Sequence, residues 1–510
     1  MLSYFCARFF RYYLIELKMK VFEGLEPEIV WNFFEEICKI PRRSSREDKI
    51  ADYLVDFGKK HQLETKRDDV GNVVIRKPAA KGFESRKSIC LQSHVDMVAE
   101  KNSDSSHDFD SDAIQPFIDG EWVKARDTTL GADNGIGVAS QLALLDAPAL
   151  DHGPVECLFT IEEELGLKGA FNLKPDFIKS KILLNLDSED EGELFIGCAG
   201  GIDTTAEITY STRKVPSDST AFRIEMSGLK GGHSGDDINK NRGNSIKILN
   251  RFLWTVSRRM PVRIGTFEGG NLKNAIPREA YAIVTTSHSK QQMLKDEFQQ
   301  FCIAVKNELS VTEPDLTLEL KPEELPHLVL KKKYQRRLLN LLYGCPHGVI
   351  AMSRTIKNLV ETSTNLASVK FSGHDTYTIA TSQRSSVDSE MENIANTVRS
   401  IFDLGRAEVK NSGGYPGWEP DTNSEILNIT RESYKNLFGN EPLVKAIHAG
   451  LECGLFLQKY PYLDMISFGP TILGAHSPDE RVEIKTVKKF WDLLLTVLLN
   501  APEDNNDAKE

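Results

Sequence analysis

The sequence predicts an α/β protein: a mixed-sheet domain with helices on both faces, interrupted by an inserted α+β domain of ferredoxin-like order. Three observations predict it. The runs Ser88–Ser93, Val155–Ile161 and Lys181–Leu186 are short and mostly apolar, as suits strands buried on both faces of a parallel or mixed sheet. A helical stretch, Gly135–Asp146, separates the first two runs, which is the alternation of an α/β domain. From about Phe222 the order changes to β-α-β-β-α-β, and α/β texture resumes near Ser424.

The elements follow in order. An amphipathic helix is predicted over Pro27–Lys39, where Val30, Phe33, Phe34 and Ile37 share a face. Pro27 suits the first helical position, because an N–H there has no partner to lose. Ser44, Ser45 and Glu47 precede a second helix through Ile50, Leu54 and Phe57, and Val70–Arg76 reads as a strand. In the insertion, strands are predicted at Phe222–Ser227, Val262–Glu268, Ala280–Thr286 and Asp315–Leu320, with helices at Asn244–Arg258 and Gln291–Leu309. A helix at Lys333–Leu342, strands at Leu366–Phe371 and Thr376–Ser382, and a helix at Met391–Leu404 extend it. Gly413, Gly414, Pro416 and Gly417 punctuate the return. A helix at Ser424–Leu437, a strand at Met465–Phe468 and a last helix at Ile484–Leu499 complete the first domain. The expected division is residues 19–203 with 412–502, residues 204–411 inserted, and a charged tail at 503–510, each domain of ordinary size.

Composition excludes several classes. The chain has 510 residues and a formal net charge of −11, whereas nonspecific nucleic-acid binding needs a basic face. The eight cysteines form no C-x-x-C pair, and a chain this long and cysteine-poor has no need of a disulfide framework. A reducing cytoplasm is the expected compartment. Residues 1–18 are rich in aromatics, but Arg8, Arg11 and Glu16 interrupt them, so the segment is too short and charged to span a bilayer. It lacks a signal-peptide cleavage pattern, and Met19 offers an alternative start. No membrane association is expected.

The chemistry lies just after the buried runs. His94-Val95-Asp96 follows the first, Glu162-Glu163-Glu164 the second and Asp187 the third. Ligands of open α/β sheets bind at the carboxyl ends of the strands, so these groups share a rim. The loop Gly131–Gly135 opens onto it, and His476 follows the Met465–Phe468 strand. Converging carboxylates without a counter-charge are costly in a low-dielectric cleft, and Lys168 is the one nearby cation after these strand ends. Two divalent cations resolve the cost. Imidazoles with carboxylates suit Zn2+, and less tightly Mn2+ or Co2+. Asp133 is the natural bridge, His94 with Asp187 completes one ion, and Glu164 with His476 the other. Asp96 is placed to orient the His94 imidazole. Glu163 remains outside the ligand set, as general base toward a bridging water. Each signal has a plainer reading: H-x-D pairs often cap loops, and glutamate triplets are usually solvated helix faces. Their shared position after successive strands decides for a site.

The segments LQSHVDMV, LGADNGIG, LFTIEEELGLKGAF, LLNLDSEDEGELFIGCAGG, GLKGGHSGDDI, NAIP, SGGYPGW, AIHAGLECGLF and GPTILGAHSPDE resemble the M20 metallopeptidase family, in its dipeptide-cleaving branch. The resemblance runs in order over nearly all of Gly24–Leu499. It implies the same ligand set, His94, Asp133, Glu164, Asp187 and His476, with Glu163 as base, Asp96 beside the first ligand, and a cis bond at Asp133–Asn134. Glu162 departs from the family, which often has Asp there. The resemblance further implies that the insertion is a lid and dimerisation domain, and that the chain is a homodimer. It implies that His233 stabilises a developing oxyanion. Asn274, Thr364, Asn365, Arg384 and Glu452 are candidates for gripping a short peptide. An arginine fork suits a peptide carboxylate, although Arg384 has Asp388 and Glu390 as alternative partners. Hydrolysis of dipeptides, Xaa-His included, is the expected activity. A tripeptidase, carboxypeptidase or N-deacylase on the same scaffold, or a non-catalytic metal- or peptide-binding protein, is the alternative. A two-metal phosphoesterase ranks below these, as no glycine loop with a lysine cradles phosphate.

Overall fold

The computed structural model describes residues 21–372 and 375–504. The segment 1–18, Met19 and residues 505–510 of the expected tail lie outside the described residues. Two compact units emerge: one comprises the chain up to Ile196, Asp421–Lys445 and the chain from Leu455; the other comprises Gly197–Pro420 and Ala446–Gly454.

The first unit is built on an eight-stranded sheet. Its order is Glu64–Arg67, Val73–Lys77, Val155–Thr160, Ile89–His94, Ile182–Asn185, Asp464–Ser467, Glu193–Cys198, Leu443–Ile447. The four strands from Val155–Thr160 to Asp464–Ser467 are mutually parallel. Three of them, Val155–Thr160, Ile89–His94 and Ile182–Asn185, are buried at every residue, as the apolar runs require. The helix Ala132–Asp146 packs on the Ile89–His94 strand. It is buried almost all round, through Ile136, Val138, Leu142 and Leu145, as a helix apolar on every side must be. A Cβ on Gly137 would lie 2.5 Å from Ser93 Oγ, so glycine there permits the close approach of helix to strand. The final helix, Ile484–Leu499, buries Val487, Phe490, Trp491 and Leu494, each contributing about 1.5–3 kcal/mol. Ser424 caps the helix Glu425–Phe438, its hydroxyl accepting from Leu427 N–H at 3.0 Å.

A separate small sheet went unpredicted. It joins Ile472–Leu473, Arg481–Glu483, Trp122–Ala125 and Pro116–Asp119. Its hairpin register, Ile472 with Val482 and Leu473 with Arg481, holds out the loop 474–480.

The second unit contains a nine-stranded sheet. Its first four strands run Thr317–Glu323, Ser219–Ser227, Ala280–Ser287, Arg263–Gly269, all antiparallel neighbours. This is the fourth-first-third-second order of a ferredoxin-like unit. Val360–Ser372, Thr376–Ser385, Gly200–Thr209 and Glu408–Tyr415 continue the sheet, and Gly348–Met352 is the ninth strand, paired with Val360–Ser372. Helices Ser245–Arg259, Gln291–Leu309, Lys332–Gly344 and Asp388–Leu404 send Leu249, Phe298, Leu338 and Phe402 into one core with Phe222 and Ile224 of the sheet. Asn244 caps the first of these helices by accepting from Lys247 N–H at 3.1 Å.

Some expectations shift. The boundaries 203/204 and 411/412 cut through Gly200–Thr209 and Glu408–Tyr415, which pair with each other; the compact units instead divide at 196/197 and 420/421. The helix predicted from Pro27 runs Glu28–Ile37, with Pro27 at the N-cap. At the expected tail, Glu503 bridges to Arg86, and Asp504 N–H donates to Ser85 O at 2.8 Å. The seven described cysteines are free thiols. Among the described residues no helix is long and apolar enough to cross a membrane.

Candidate metal centre

Parallel strands end together, and the candidate ligands follow from that. His94 is the last residue of its strand and sits opposite Thr160. Gln92 sits opposite Asn185, two residues before Asp187. Asn185 pairs in turn with Ser467, whose strand leads to the His476 loop.

The five expected ligand residues of the first unit come together. His94 Nε2 lies 3.0 Å from Asp133 Oδ1 and 3.2 Å from Asp187 Oδ1. His476 Nε2 lies 3.4 Å from Asp133 Oδ2 and 3.0 Å from Glu164 Oε2. Asp133 therefore turns one oxygen to each histidine. The Asp133–Asn134 peptide is cis. Both residues leave helical geometry, and the Asn134 amide donates to Asp187.

Asp96 is fully buried. Its Oδ1 accepts from Glu163 N–H at 3.1 Å, and its Oδ2 from Glu164 N–H at 3.3 Å and from the Ser44 hydroxyl at 2.8 Å. The carboxylate thus fixes the loop carrying Glu163 and Glu164. Its expected bond to the imidazole is the longer of two contacts: His94 Nδ1 is 3.4 Å from Asp96 Oδ1 and 3.2 Å from the Asp96 carbonyl oxygen. Glu163 is half-buried on this loop. Glu162 adopts a left-handed φ of 46° and pairs with Lys168 at 2.9 Å, so Lys168 is engaged at the edge of the loop.

The electrostatics of the cluster show how strongly its carboxylates call for positive charge. Burial works against the charge on Asp133, but bonds from His476 and His94 hold its carboxyl well below the usual range. Burial likewise disfavours His94 protonation, yet Asp187 and Asp133 raise its pKa well above the ordinary value. Bonds to Asp133 and Glu164 raise His476 to about 11. Burial pushes Asp187 up to about 6 against the pull of His94. Burial pushes Glu189, two residues on, up to about 9, with Asp133 and Asp187 adding to it. These shifts come from carboxylates crowded against two imidazoles, a donor set that added positive charge would balance. The residues fit divalent ions by two observations: Glu164 Oε1 is buried without a hydrogen-bond partner, and ligand atoms of His94, Asp133 and Glu164 lie within 4.8 Å of one another.

Two buried groups escaped sequence reasoning. Arg42 donates to Val95 O at 2.9 Å, Asp96 O at 3.3 Å and Gly131 O at 2.5 Å. It is a buried cation beside the carboxylates, so the expectation of no counter-charge beyond Lys168 is corrected; Arg42 lies well before the strand ends in sequence. Glu480 Oε2 accepts from Leu130 and Gly131 N–H at 2.7 and 2.9 Å, and its Oε1 from Ala132 and Asp133 N–H at 2.7 and 3.3 Å. Burial pushes its pKa up to about 7, and these N–H groups oppose the rise. The segment GPTILGAHSPDE contains Glu480, but nothing in its residue type marks it.

The remaining candidates belong to the second unit. His233 Nε2 is 3.4 Å from Arg384 Nη2, and its Nδ1 is 3.1 Å from Asp236 Oδ2. Arg384 also meets Ser234 Oγ at 3.4 Å and the Tyr415 hydroxyl at 3.1 Å. The alternative partner Asp388 instead accepts from Gly417 N–H at 2.9 Å. Asn365 donates to Lys273 O and Ala275 O at 3.1 and 2.8 Å. Asn274 is exposed, and its carbonyl accepts from Ser234 N–H at 2.8 Å. Thr364 accepts from Gln383 at 3.2 Å, and Glu452 is fully buried. His448, not singled out from the sequence, packs its Nε2 2.7 Å from Ser363 Oγ.

Comparison with known proteins identifies the family. Residues 90–500 match the family Peptidase family M20/M25/M40. The chain is 44% identical over 484 residues to the cytosol non-specific dipeptidase of Escherichia coli, covering 95% of this chain and 100% of that protein. It is similar to the crystal structure of aminoacylhistidine dipeptidase from Vibrio alginolyticus, with a TM-score of 0.87, 43% identity, and coverage of 95% and 98% of the two chains. A tripeptidase structure from Staphylococcus aureus, 15% identical at a TM-score of 0.54 over 94% of this chain and 99% of that one, shares the fold alone. With most of its length matched by the family pattern and its whole catalytic fold shared with a relative of this identity, the chain belongs to peptidase family M20/M25/M40, a family of metal-dependent peptidases.

Proposed function

We propose that the chain hydrolyses dipeptides of broad side-chain type, Xaa-His included, at two divalent cations, with Zn2+ the best match to the donor set. The observation that carries this reading is Asp133, which turns one carboxylate oxygen to His94 and the other to His476. Such an arrangement divides the donors into His94 with Asp187 and His476 with Glu164, joined by Asp133. When bound, the ions supply Lewis acidity, polarising the scissile carbonyl and acidifying a water. Glu163 stands on the loop that Asp96 fixes. Its carboxylate takes the proton as the water oxygen bonds to the carbonyl carbon, and returns it to the leaving nitrogen as the C–N bond breaks. His233 is assigned to the developing oxyanion, and Asn274, Asn365, Arg384 and Glu452 to the peptide. The second unit is proposed as lid and dimer contact of a homodimer. The seven described free thiols, and a relative named for the cytosol, support a cytoplasmic location.

A panel of dipeptides, tripeptides and N-acetyl amino acids, run with metal content per chain, tests the reading. Turnover of dipeptides with close to two ions per chain is the expected result. Cleavage of acylated amino acids alone, or full turnover in metal-stripped protein, overturns it.

A further inference from the structure

Three ligand-bearing segments must hold a fixed spacing: the His94 strand end, the Asp133 turn and the His476 loop. The first and last are far apart in sequence and neither is hydrogen-bonded to the Asp133 turn through a regular sheet ladder. The turn is instead gripped through its backbone. Arg42 donates to Gly131 O and, on the strand side, to Val95 O and Asp96 O. Glu480, four residues after His476, accepts the four consecutive N–H groups of Leu130 to Asp133. Glu480 is 2% exposed and Arg42 3%, so water does not substitute for either. Gly131 adopts a φ of 70°, and a Cβ there would lie 2.5 Å from Arg42 Nη2; the turn is shaped to receive the guanidinium.

We infer that Glu480 is a positioning residue for metal binding: its carboxylate ties the His476 loop to the Asp133 turn and thereby sets the distance between donors of the two ions. Arg42 performs the corresponding task between the His94 strand end and the same turn. Neither side chain belongs to the cluster of candidate ligand atoms formed by His94, Asp133 and Glu164. Four N–H donors aimed at two oxygens demand an acceptor-only group, which a carboxylate is and a carboxamide is not. The inference rests on the reading of the centre as a two-ion site.

The test uses the full-length protein, stripped with a chelator and titrated with Zn2+ against a competing chromophoric chelator, with kcat and KM measured on one dipeptide. Glu480→Gln turns a donating NH2 toward two backbone N–H groups. Supporting partners of ligands typically matter 10–100-fold in metal affinity or activity. The expected result is Zn2+ affinity lowered by about 10–100-fold, kcat lowered at subsaturating Zn2+ and restored in part by excess, and KM unchanged. Glu480→Asp keeps the acceptor but shortens it by one methylene and should fall between; it also serves if the glutamine variant does not fold. A residue that merely supports the fold would lower thermal stability of the metal-free protein without changing Zn2+ affinity. Wild-type Zn2+ affinity in either folded variant overturns the inference. Failure of the wild-type protein to bind Zn2+ overturns instead the reading on which it rests.

Discussion

Asp96 makes the sharpest test of how the site is held together. Its two oxygens accept from Glu163 N–H, Glu164 N–H and the Ser44 hydroxyl, while Oδ1 also lies 3.4 Å from the His94 ring. Asp96→Ala strands two amides in a site where Asp96 itself is fully buried. Unsatisfied buried donors cost about 1–3 kcal/mol each; with both amides only part-buried, the expected loss of stability is roughly 2–4 kcal/mol. The hydroxyl adds little, since it rotates to another acceptor. Asp96→Asn keeps one oxygen and turns an NH2 toward the other amide, so about half that loss is expected. Both variants also free the loop that carries Glu163 and Glu164, and remove a carboxylate next to the His94 imidazole, for which metal affinity or activity should fall about 10–100-fold. Urea unfolding of the chelated protein measures the first effect, and dipeptide turnover across a metal titration the second. An Asp96→Ala protein as stable as wild type, with unchanged metal dependence, would refute the bonding described here.

Glu163→Gln should lower kcat by about 10²–10⁴-fold, the usual worth of a positioned base, while metal content measured by emission spectroscopy stays at the wild-type value; turnover within threefold of wild type would exclude Glu163 as base. Without metal, His476 is raised to about 11 and His94 above its ordinary value, so both shifts favour the protonated ring. Ligation needs neutral imidazoles, so ion uptake should release up to two protons and affinity should rise with pH by roughly tenfold per proton per unit. Calorimetry in buffers of different ionisation enthalpy checks this, and an affinity flat from pH 6 to 8 would count against it. His448 is pushed down to about 3 by burial and by Arg384. Its folded value lies below the unfolded one of about 6.5, so the unfolded chain binds the extra proton between the two. That stability is complete above pH 6.5 and is lost as pH falls toward 3, with about 2 kcal/mol gone by pH 5. Urea midpoints of the metal-free protein at pH 7.5 and 5 should therefore converge in His448→Gln, and equal pH slopes in the two proteins would contradict the burial argument.

The fold was legible wherever burial leaves a continuous apolar run or a helical period. Ile89–His94, Val155–Thr160 and Ile182–Asn185 are buried throughout, and the helices Gln291–Leu309 and Ile484–Leu499 run as expected. Edge and half-exposed strands were not legible. Glu64–Arg67 is the sequence ETKR at a sheet edge, and Glu408–Tyr415, EVKNSGGY, is exposed at most positions. Nothing in their side chains requires a strand; the ladder hydrogen bonds that make them strands belong to the backbone.

The same division explains the site. A side chain that binds a zinc-like ion comes from a short menu, imidazole, carboxylate or thiolate, so its residue type carries the signal, and parallel strands of known direction tell where it points. His94, Asp133, Glu164, Asp187 and His476 were singled out in that way as candidate ligands, and their side-chain atoms converge. Arg42 and Glu480 touch amides and carbonyls instead. Any segment supplies those, so their partners have no signature in the sequence. Glu480 lies four residues past His476 in a loop held by two very short strands, and to a reader of residue types it is one acid among 74. What identifies it is the absence of alternatives for its partners: four consecutive N–H groups at a turn that enters a helix need an acceptor, and at 2% exposure of Glu480 water is not one. Such supports become visible by asking of each ligand-bearing loop where its backbone hydrogen bonds go.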